Sequence, residues 1–252
     1  IDRGLVGSEM CIRDSFIFVG LWWAGWAQVT FRRMPVQVKD RPDGNLLWQG
    51  FRELKGVALD LKGKTRVIRY LLSFFVMSMA IQTIMLMASS FGIKEIQLPE
   101  DQLIVAIIVV QIVAIPGSFL FSRLSGRYGN VPVLIVATFL WGATCAFAYS
   151  LVNGSTMFFI AAGLIGFMMG GTQSLNRSTY TKMLPETDDT ASYFSFYEVL
   201  EKLGVVIGMF SWGYIEGLTG SMRNSILVLI VFFAVALGLL LAIPKENKLQ
   251  VG

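Results

Sequence analysis

Residues 103–121 read LIVAIIVVQIVAIPGSFLF, an apolar stretch of nineteen residues without a charged side chain. A helix of that length spans about 28 Å, close to the ~30 Å hydrocarbon core of a bilayer, so the stretch predicts a transmembrane helix. Similar stretches joined by short connections rich in turn residues predict an antiparallel six-helix bundle. The predicted helices lie at 67–89, 103–121, 131–151, 157–176, 191–215 and 226–243, and 16–29 is long enough for only part of a crossing.

The composition also indicates an all-α membrane protein. Hydrophobic residues make up 54% of the chain and charged residues only 15%, which is far from the balance of a soluble domain of 252 residues. Histidine is absent, and Cys11 and Cys145 are the only cysteines. The sequence therefore predicts no metal site, no disulfide framework and no cofactor.

The basic side chains predict the orientation. When the helices alternate in direction, sixteen of the 21 Lys and Arg residues fall on one side, while Lys94 and Arg223 fall on the other. The positive-inside rule places the sixteen in the cytoplasm. The net charge of +4 is thus a consequence of topology, and we expect no nucleic-acid partner. The sixteen are Arg32, Arg33, Lys39, Arg41, Arg52, Lys55, Lys62, Lys64, Arg66, Arg69, Arg123, Arg127, Arg177, Lys182, Lys245 and Lys248.

The first fifteen residues differ from the rest of the chain. They lack an initiator Met and resemble translated adaptor sequence of the kind found at the ends of metagenomic reading frames. We interpret 1–15 as an artefactual leader, 16–30 as a partial transmembrane helix, 31–65 as a cytoplasmic linker, 66–243 as the bundle and 244–252 as a cytoplasmic tail. On this interpretation the chain is a C-terminal fragment, and an N-terminal part of the natural protein is missing.

The linker contains a helical pattern of its own at 45–62. Apolar residues recur there at spacings of three and four, and charged residues occupy the opposite face. The pattern predicts an amphipathic helix on the cytoplasmic headgroups, either a regulatory strut or a tether between two membrane halves. Its apolar face consists of Leu47, Phe51, Leu54, Ala58 and Leu61.

The stretch GSFLFSRLSGRYGNVPVL at 117–134 resembles the cytoplasmic signature of the major facilitator superfamily. The resemblance implies that Gly117 and Gly126 permit close helix approach and that Arg123 and Arg127 anchor the loop between paired helices. The acidic position of that signature is not matched here. A basic linker followed by six spans also resembles the C-terminal half of that fold, which has two six-helix halves.

Three more stretches resemble the vacuole effluxer-like branch of this superfamily: GGTQSLNRS at 170–178, YFSFYEVLEK at 193–202 and TGSMR at 219–223. The resemblance implies a transporter of small solutes, such as amino acids, that works by alternating access. The stretch MSMAIQT at 77–83 lacks the Asp of many relatives, so no role of that Asp is transferred to this chain.

Ionisable residues within the predicted span 191–215 are the first candidates for a site. Charges inside a span are costly unless they face partners or water, so Glu198, Glu201 and Lys202 predict a buried cluster. Glu198 and Lys202, four residues apart, either line the substrate path or neutralise each other and hold two helices together. The family resemblance favours Lys202.

Amide and hydroxyl residues form the second group of candidates. Gln173 and Arg177 share one helix face near Asn176, and we predict that Gln173 and Asn176 face the substrate. Arg177 lies near the cytoplasmic end, which favours a gate or a headgroup contact. In the first full span, Gln82 and Thr83 either face the cavity or form an interhelical hydrogen bond. Glycines three or four residues apart predict close helix packing at Gly163, Gly166, Gly170, Gly171, Gly204 and Gly208.

A secondary transporter explains the spans, the orientation and the polar residues together. A membrane enzyme is disfavoured because no convergent catalytic set is present. A non-transporting receptor or scaffold, or a half-size permease acting as a homodimer, stays open as an alternative. We expect membrane lipids, a missing N-terminal six-helix half and a small-molecule substrate as partners, and a bacterial cytoplasmic membrane as the location.

Overall fold

The computed structural model describes residues 2–33, 46–184 and 189–244, and in these ranges it contains eight helices and no strand. The chain forms two compact units, 1–46 and 47–252. The helices are α1 (Asp2–Arg33), α2 (Leu46–Leu61), α3 (Thr65–Lys94), α4 (Glu100–Tyr128), α5 (Asn130–Leu151), α6 (Ser155–Met183), α7 (Thr190–Thr219) and α8 (Met222–Leu241).

The first unit consists mainly of α1, a single helix of 32 residues. It has an exposed aromatic row in which Phe18 stacks on Trp22 and Trp22 meets Trp26 edge to face, with ring centroids 6.4 and 5.8 Å apart. The helix runs without interruption across residue 15, where the predicted leader ends. The leader and the partial span both stay predictions.

The second unit contains the predicted six-helix bundle, α3 to α8. Five of these helices, all except α7, are long and apolar enough to cross a membrane among the residues that the structure describes. The predicted all-α, multi-pass membrane fold is confirmed. Helix α7 has the length of a span, with 30 residues, but Glu198, Glu201 and Lys202 lower its hydropathy.

The helices extend beyond the apolar stretches that predicted them. Helix α4, for example, begins at Glu100 and continues through Arg127 to Tyr128, whereas the apolar stretch covers 103–121. Backbone hydrogen bonding continues where the hydrocarbon ends, so hydropathy marks the depth of the membrane and not the end of the helix. At the end of α4, Gly129 adopts φ of 88°, a conformation that favours glycine.

Glycines bring α4 against α6 and α3 against α7. A methyl group added at Gly166 or Gly170 would overlap the carbonyl oxygen of Val110 or Ala114 on α4. Gly117 meets the Phe167 carbonyl in the same interface. The remaining predicted packing positions make contact as well: Gly171 against Phe121, Gly204 against Phe75 and Ser78, and Gly208 against Met79 and Thr83.

Two glycines do not make the predicted close approach. Among the residues that the structure describes, no atom of a neighbouring element lies within 4 Å of a methyl group placed at Gly163 or Gly126. Gly163 lies three and seven residues before Gly166 and Gly170, on the same side of the helix, but the close contact between α4 and α6 does not extend as far as Gly163. The prediction of close packing at Gly163 and at Gly126 was therefore wrong.

Helix α2 forms as predicted, but only part of the predicted apolar face is buried, together with Val57. Leu61 and Val57 are buried and Leu54 is half-buried, whereas Phe51 and Ala58 are exposed. The side chain of Leu47 lies outside the described residues. The docked face is thus confined to the last two turns of α2, because only these reach the bundle. Residues 34–45, which precede this helix, and the tail from 245 onwards also lie outside the described residues.

A polar contact fixes the end of α2 to the beginning of α7. The Tyr193 hydroxyl donates a hydrogen bond to the carboxylate of Asp60, which also accepts one from Lys64 at 2.8 Å. The hydrogen bond from the Lys64 ammonium, followed by that from Tyr193, lowers the pKa of Asp60 below its ordinary value. This carboxylate is therefore kept charged where the end of α2 meets α7.

Candidate functional site

A polar pocket of about 90 Å³ opens between α3, α6 and α7. It combines side chains that are far apart in sequence, because α3 packs along α7 and α6 contributes the face that contains its amide residues. We call it the polar pocket. It is lined by Phe74, Ser78, Ile81 and Gln82 from α3, Gln173, Asn176 and Arg177 from α6, and Tyr197 and Glu201 from α7.

Two of the lining groups, the Glu201 carboxylate and the Asn176 side-chain oxygen, are hydrogen-bond acceptors. The side-chain amide of Gln82 donates to a carboxylate oxygen of Glu201 at 2.6 Å, which links α3 to α7. Asn176 is buried, and its side-chain oxygen has no hydrogen-bond partner among the described residues. A buried acceptor without a partner has lost its hydration, so the pocket favours a ligand with an N–H or O–H donor.

Donors lie at the rim of the pocket. Gln173 and Arg177 are exposed, and a guanidinium nitrogen of Arg177 lies 3.8 Å from a carboxylate oxygen of Glu198. Both partners of this ion pair are more than half exposed, so the pair itself adds little stability. The guanidinium therefore remains accessible to an anionic group at the mouth of the pocket.

The predicted buried cluster on α7 is not formed as expected. Glu201 is half-buried and bonded to Gln82, but Glu198 and Lys202 are exposed. Glu198 pairs with Arg177 on α6, and Lys202 lies outside the pocket lining. Successive residues of a helix are rotated by about 100° about its axis. Of the three side chains, only that of Glu201 therefore points toward α3. The functional roles assigned to these residues stay predictions.

Thr83 does not line the pocket, although it follows Gln82 directly. It is fully buried against Gly208, and its hydroxyl donates to the backbone oxygen of Met79 at 2.6 Å, one turn earlier in the same helix. The structure thus contradicts both a cavity-facing position and an interhelical hydrogen bond for this side chain. Its place is in the close contact between α3 and α7.

An aromatic wall behind the pocket was missed by the sequence analysis. Tyr197 stacks between Phe74 and Tyr180, with ring centroids at 4.0 and 4.9 Å, and Tyr70 donates to the backbone oxygen of Asn176 at 2.7 Å. The aromatic run at 193–197 was a signal, but its partners on α3 and α6 were not evident from spacing. This wall fixes the positions of α6 and α7 around the pocket.

In the signature stretch at 117–134, the residue that joins helices is Asn130. Its amide donates to Ser178 at 3.2 Å and its oxygen accepts from Lys182 at 3.0 Å, which connects α5 to α6. Arg123 and Arg127 are exposed, and Arg127 lies 5.5 Å from the ring of Tyr128. The loop-anchoring role of the two arginines stays a prediction.

The family model described as "Vacuole effluxer Atg22 like" matches residues 6–251. The chain belongs to this family. The predicted resemblance to the effluxer-like branch of the major facilitator superfamily is confirmed by that match and by similar proteins. The chain is 23% identical over 237 residues to the "Uncharacterized MFS-type transporter YxiO" of Bacillus subtilis. It is 26% identical over 269 residues to "Autophagy-related protein 22" of Vanderwaltozyma polyspora.

The matches to these family members cover nearly all of this chain. They include 94% of it for the Bacillus protein and 95% for the Vanderwaltozyma protein, but only 55% and 50% of the two relatives. The Saccharomyces cerevisiae "Autophagy-related protein 22" is 22% identical over 289 residues, which is 97% of this chain and 52% of that protein. The chain thus spans about half the length of the curated relatives it matches.

Proposed function

We propose that this chain forms the C-terminal half of a secondary transporter that moves small solutes by alternating access. The polar pocket is the observation on which the proposal rests. Charged and amide side chains in a membrane protein normally face partner helices or a water-filled path. Here such side chains from α3, α6 and α7 meet in one pocket. In the proposed mechanism, a second six-helix half covers this face and rocks against it around a bound solute.

The chemistry of the pocket favours a solute with both an amino and a carboxylate group. The Glu201 carboxylate and the unpaired oxygen of Asn176 are acceptors for an ammonium group. The exposed guanidinium of Arg177 is a donor for a carboxylate. Amino acids carry both of these groups. The wall formed by Phe74 and Tyr197 would contact an apolar side chain.

The proposed location is a bacterial cytoplasmic membrane, with the basic linker on the cytoplasmic side. The similarity to a Bacillus subtilis protein and the positive-inside pattern support it. The family is described as vacuole effluxer-like and the Bacillus subtilis protein is named an MFS-type transporter, which supports a role in transport and not in catalysis.

The test uses the longer natural protein, obtained by extending the coding sequence upstream, beside the 252-residue chain alone. Both are reconstituted into liposomes, and uptake of a panel of radiolabelled amino acids is measured. We expect uptake by the longer protein only. Uptake by the chain alone would contradict the proposal and favour a homodimeric permease, and solute binding without uptake by either protein would favour a receptor.

The variant Glu201→Gln tests the pocket directly. A hydrogen bond to a charged group contributes about 1.5–3 kcal/mol, so its loss should weaken solute binding by roughly 10- to 100-fold. The matched control is Glu198→Gln, a carboxylate one turn away that is exposed at the rim. An equal loss in the two variants would show that general charge, and not the pocket, decides binding.

A further inference from the structure

A second cavity lies between the bundle helices, beyond the polar pocket toward the end that contains Lys94. On α3 the polar pocket ends at Gln82, whereas this cavity begins at Ile84 and reaches Phe91. Its volume is about 190 Å³, and we call it the outer cavity. All six helices contribute to its wall, with Ile84 from α3, Val110 from α4, Cys145 from α5, Ile165 from α6, Trp212 from α7 and Leu229 from α8.

The wall of the outer cavity is mainly apolar: its polar members besides Trp212 are Ser89 and Gln111, which are exposed, and Thr144, and none of the residues that line it is charged. The hydroxyl of Thr144 already donates to the backbone oxygen of Leu140 at 2.9 Å. Trp212 differs from these polar members because it is only 4% exposed and its indole nitrogen has no hydrogen-bond partner among the described residues. Trp141, the other buried indole, donates to Thr172 at 3.1 Å. The unpaired donor therefore distinguishes this cavity from ordinary core packing.

Water is a poor occupant for such a space. A buried water normally makes two to four hydrogen bonds, and apolar cavities of about 150 Å³ in other proteins stay dry and bind benzene-sized molecules. One buried indole donor in a mainly apolar wall matches a ligand that is mostly hydrocarbon and has one acceptor oxygen. A charged solute would lose its hydration without finding a partner.

We propose that the outer cavity is a binding site for a small, uncharged, mainly apolar molecule whose single acceptor, such as a ketone oxygen, receives the Trp212 indole hydrogen bond. The site is separate from the polar pocket, and its occupancy does not depend on transport. Because all six helices line it, a bound molecule would resist changes in their packing.

The experiment uses the 252-residue chain in lipid nanodiscs with ¹⁵N-labelled tryptophan indoles, and the probes are cyclohexanone and methylcyclohexane. Trp212→Phe assigns the Trp212 indole resonance. With cyclohexanone, we expect the chemical shift of that resonance to change with concentration until it reaches a plateau. Methylcyclohexane has no acceptor oxygen and should not produce the change caused by the hydrogen bond. The Trp141 resonance should stay in place, because its donor is already bonded within the bundle.

A variant that fills the cavity completes the test. Ala162→Leu adds bulk to the wall and should abolish the saturable shift, while an unchanged Trp141 resonance shows that the bundle is folded. Two results would overturn the proposal. One is a Trp212 resonance in the folded wild-type chain that does not move, or moves without saturation. The other is exchange of the Trp212 indole hydrogen with water as fast as that of the exposed Trp22, which would show a hydrated cavity.

Discussion

At the scale of single residues, Asn176 is a polar group that the fold leaves partly unsatisfied. Its backbone oxygen accepts a hydrogen bond from Tyr70, but its buried side-chain oxygen accepts none among the described residues. A buried unpaired acceptor lowers stability by about 1–3 kcal/mol. Such a cost is characteristic of positions that serve ligand binding, where stability and activity are opposed.

The variant Asn176→Ala should separate stability from binding. We expect no loss of thermal stability, because the substitution removes an unsatisfied group, together with a solute uptake at least about tenfold lower. The control is Thr172→Val on the same helix, which leaves the Trp141 donor unpaired and should cost about 1–3 kcal/mol. Thermal unfolding and uptake are measured on each variant. If the Asn176→Ala variant lost as much thermal stability as the Thr172→Val variant, the assignment of Asn176 to ligand binding would be contradicted.

At the scale of elements, contacts between helix backbones determine how closely the helices approach. Between α4 and α6 the approach depends on Gly166 and Gly170, each facing a carbonyl oxygen of α4. Lipid tails are as apolar as side chains, so helices in a bilayer gain stability from close packing more than from burial of apolar surface. Each of these glycines is therefore a position where added volume cannot be accommodated without separating the helices.

The pair Gly170→Ala and Gly163→Ala tests this packing. The added methyl group at Gly170 would overlap the Ala114 carbonyl, and we expect a loss of roughly 1–3 kcal/mol or more. At Gly163 the methyl group meets open space, so alanine should be neutral or stabilise the helix by up to about 1 kcal/mol. Denaturant titration of the reconstituted chain measures both. Equal effects would show that glycine flexibility, and not the contact, determines stability.

The docking of α2 should depend on pH through Asp60. Its folded pKa is lowered by Lys64 and Tyr193, so the contribution to docking is present above the ordinary pKa of aspartate and is lost as the pH falls through the folded pKa. We expect faster amide hydrogen exchange in residues 54–61, after correction for intrinsic rates, as the pH falls through this range. Asp60→Ala should exchange fast throughout.

The control for this measurement is Lys62→Ala, which removes an exposed charge next to Leu61 without touching the Asp60 contacts. It should retain the wild-type protection. If acid left the exchange of 54–61 unchanged in the wild-type chain, apolar contacts of Val57 and Leu61 would be sufficient to hold α2, and the carboxylate would be dispensable.

At the scale of the whole molecule, polar contacts join helices at both ends of the bundle. At one end, Arg69 donates to the backbone oxygen of Ala242 at 2.5 Å. At the other, Arg223 donates to the backbone oxygens of Tyr149 and Val152 at 2.9 and 2.6 Å and lies 3.7 Å from Glu95. Arg223 is one of the two basic residues predicted on the outer side. In the structure it connects α3, α5 and α8.

The orientation is tested by single cysteines at the two ends. In a background with Cys11→Ser, Glu100→Cys should react with a membrane-impermeant maleimide in intact cells, and Lys62→Cys only after permeabilisation. The native Cys145 is buried, and the background without an added cysteine shows its residual labelling. Labelling of Lys62→Cys in intact cells would reverse the orientation.

The sequence by itself determined that the helices are surrounded by lipid, and it determined the number of helices. Apolar length is set by the thickness of the hydrocarbon core, and backbone groups in that core must be paired within a helix, so stretches such as 103–121 leave no alternative to a spanning helix. Four of the predicted substrate-path residues, Gln82, Gln173, Asn176 and Glu201, line one pocket. Polarity inside an apolar stretch was the signal that identified them.

Only the tertiary structure decided which neighbours these residues have. Thr83 and Gln82 are adjacent in sequence but enter different environments, and Glu198 pairs with α6 instead of with Lys202 on its own helix. The outer cavity and its unpaired indole were not evident at all. Hydropathy is a property of one helix, whereas rotation about the helix axis is fixed by contacts between helices, and a rotation of about 100° moves a side chain from a pocket into a packed interface.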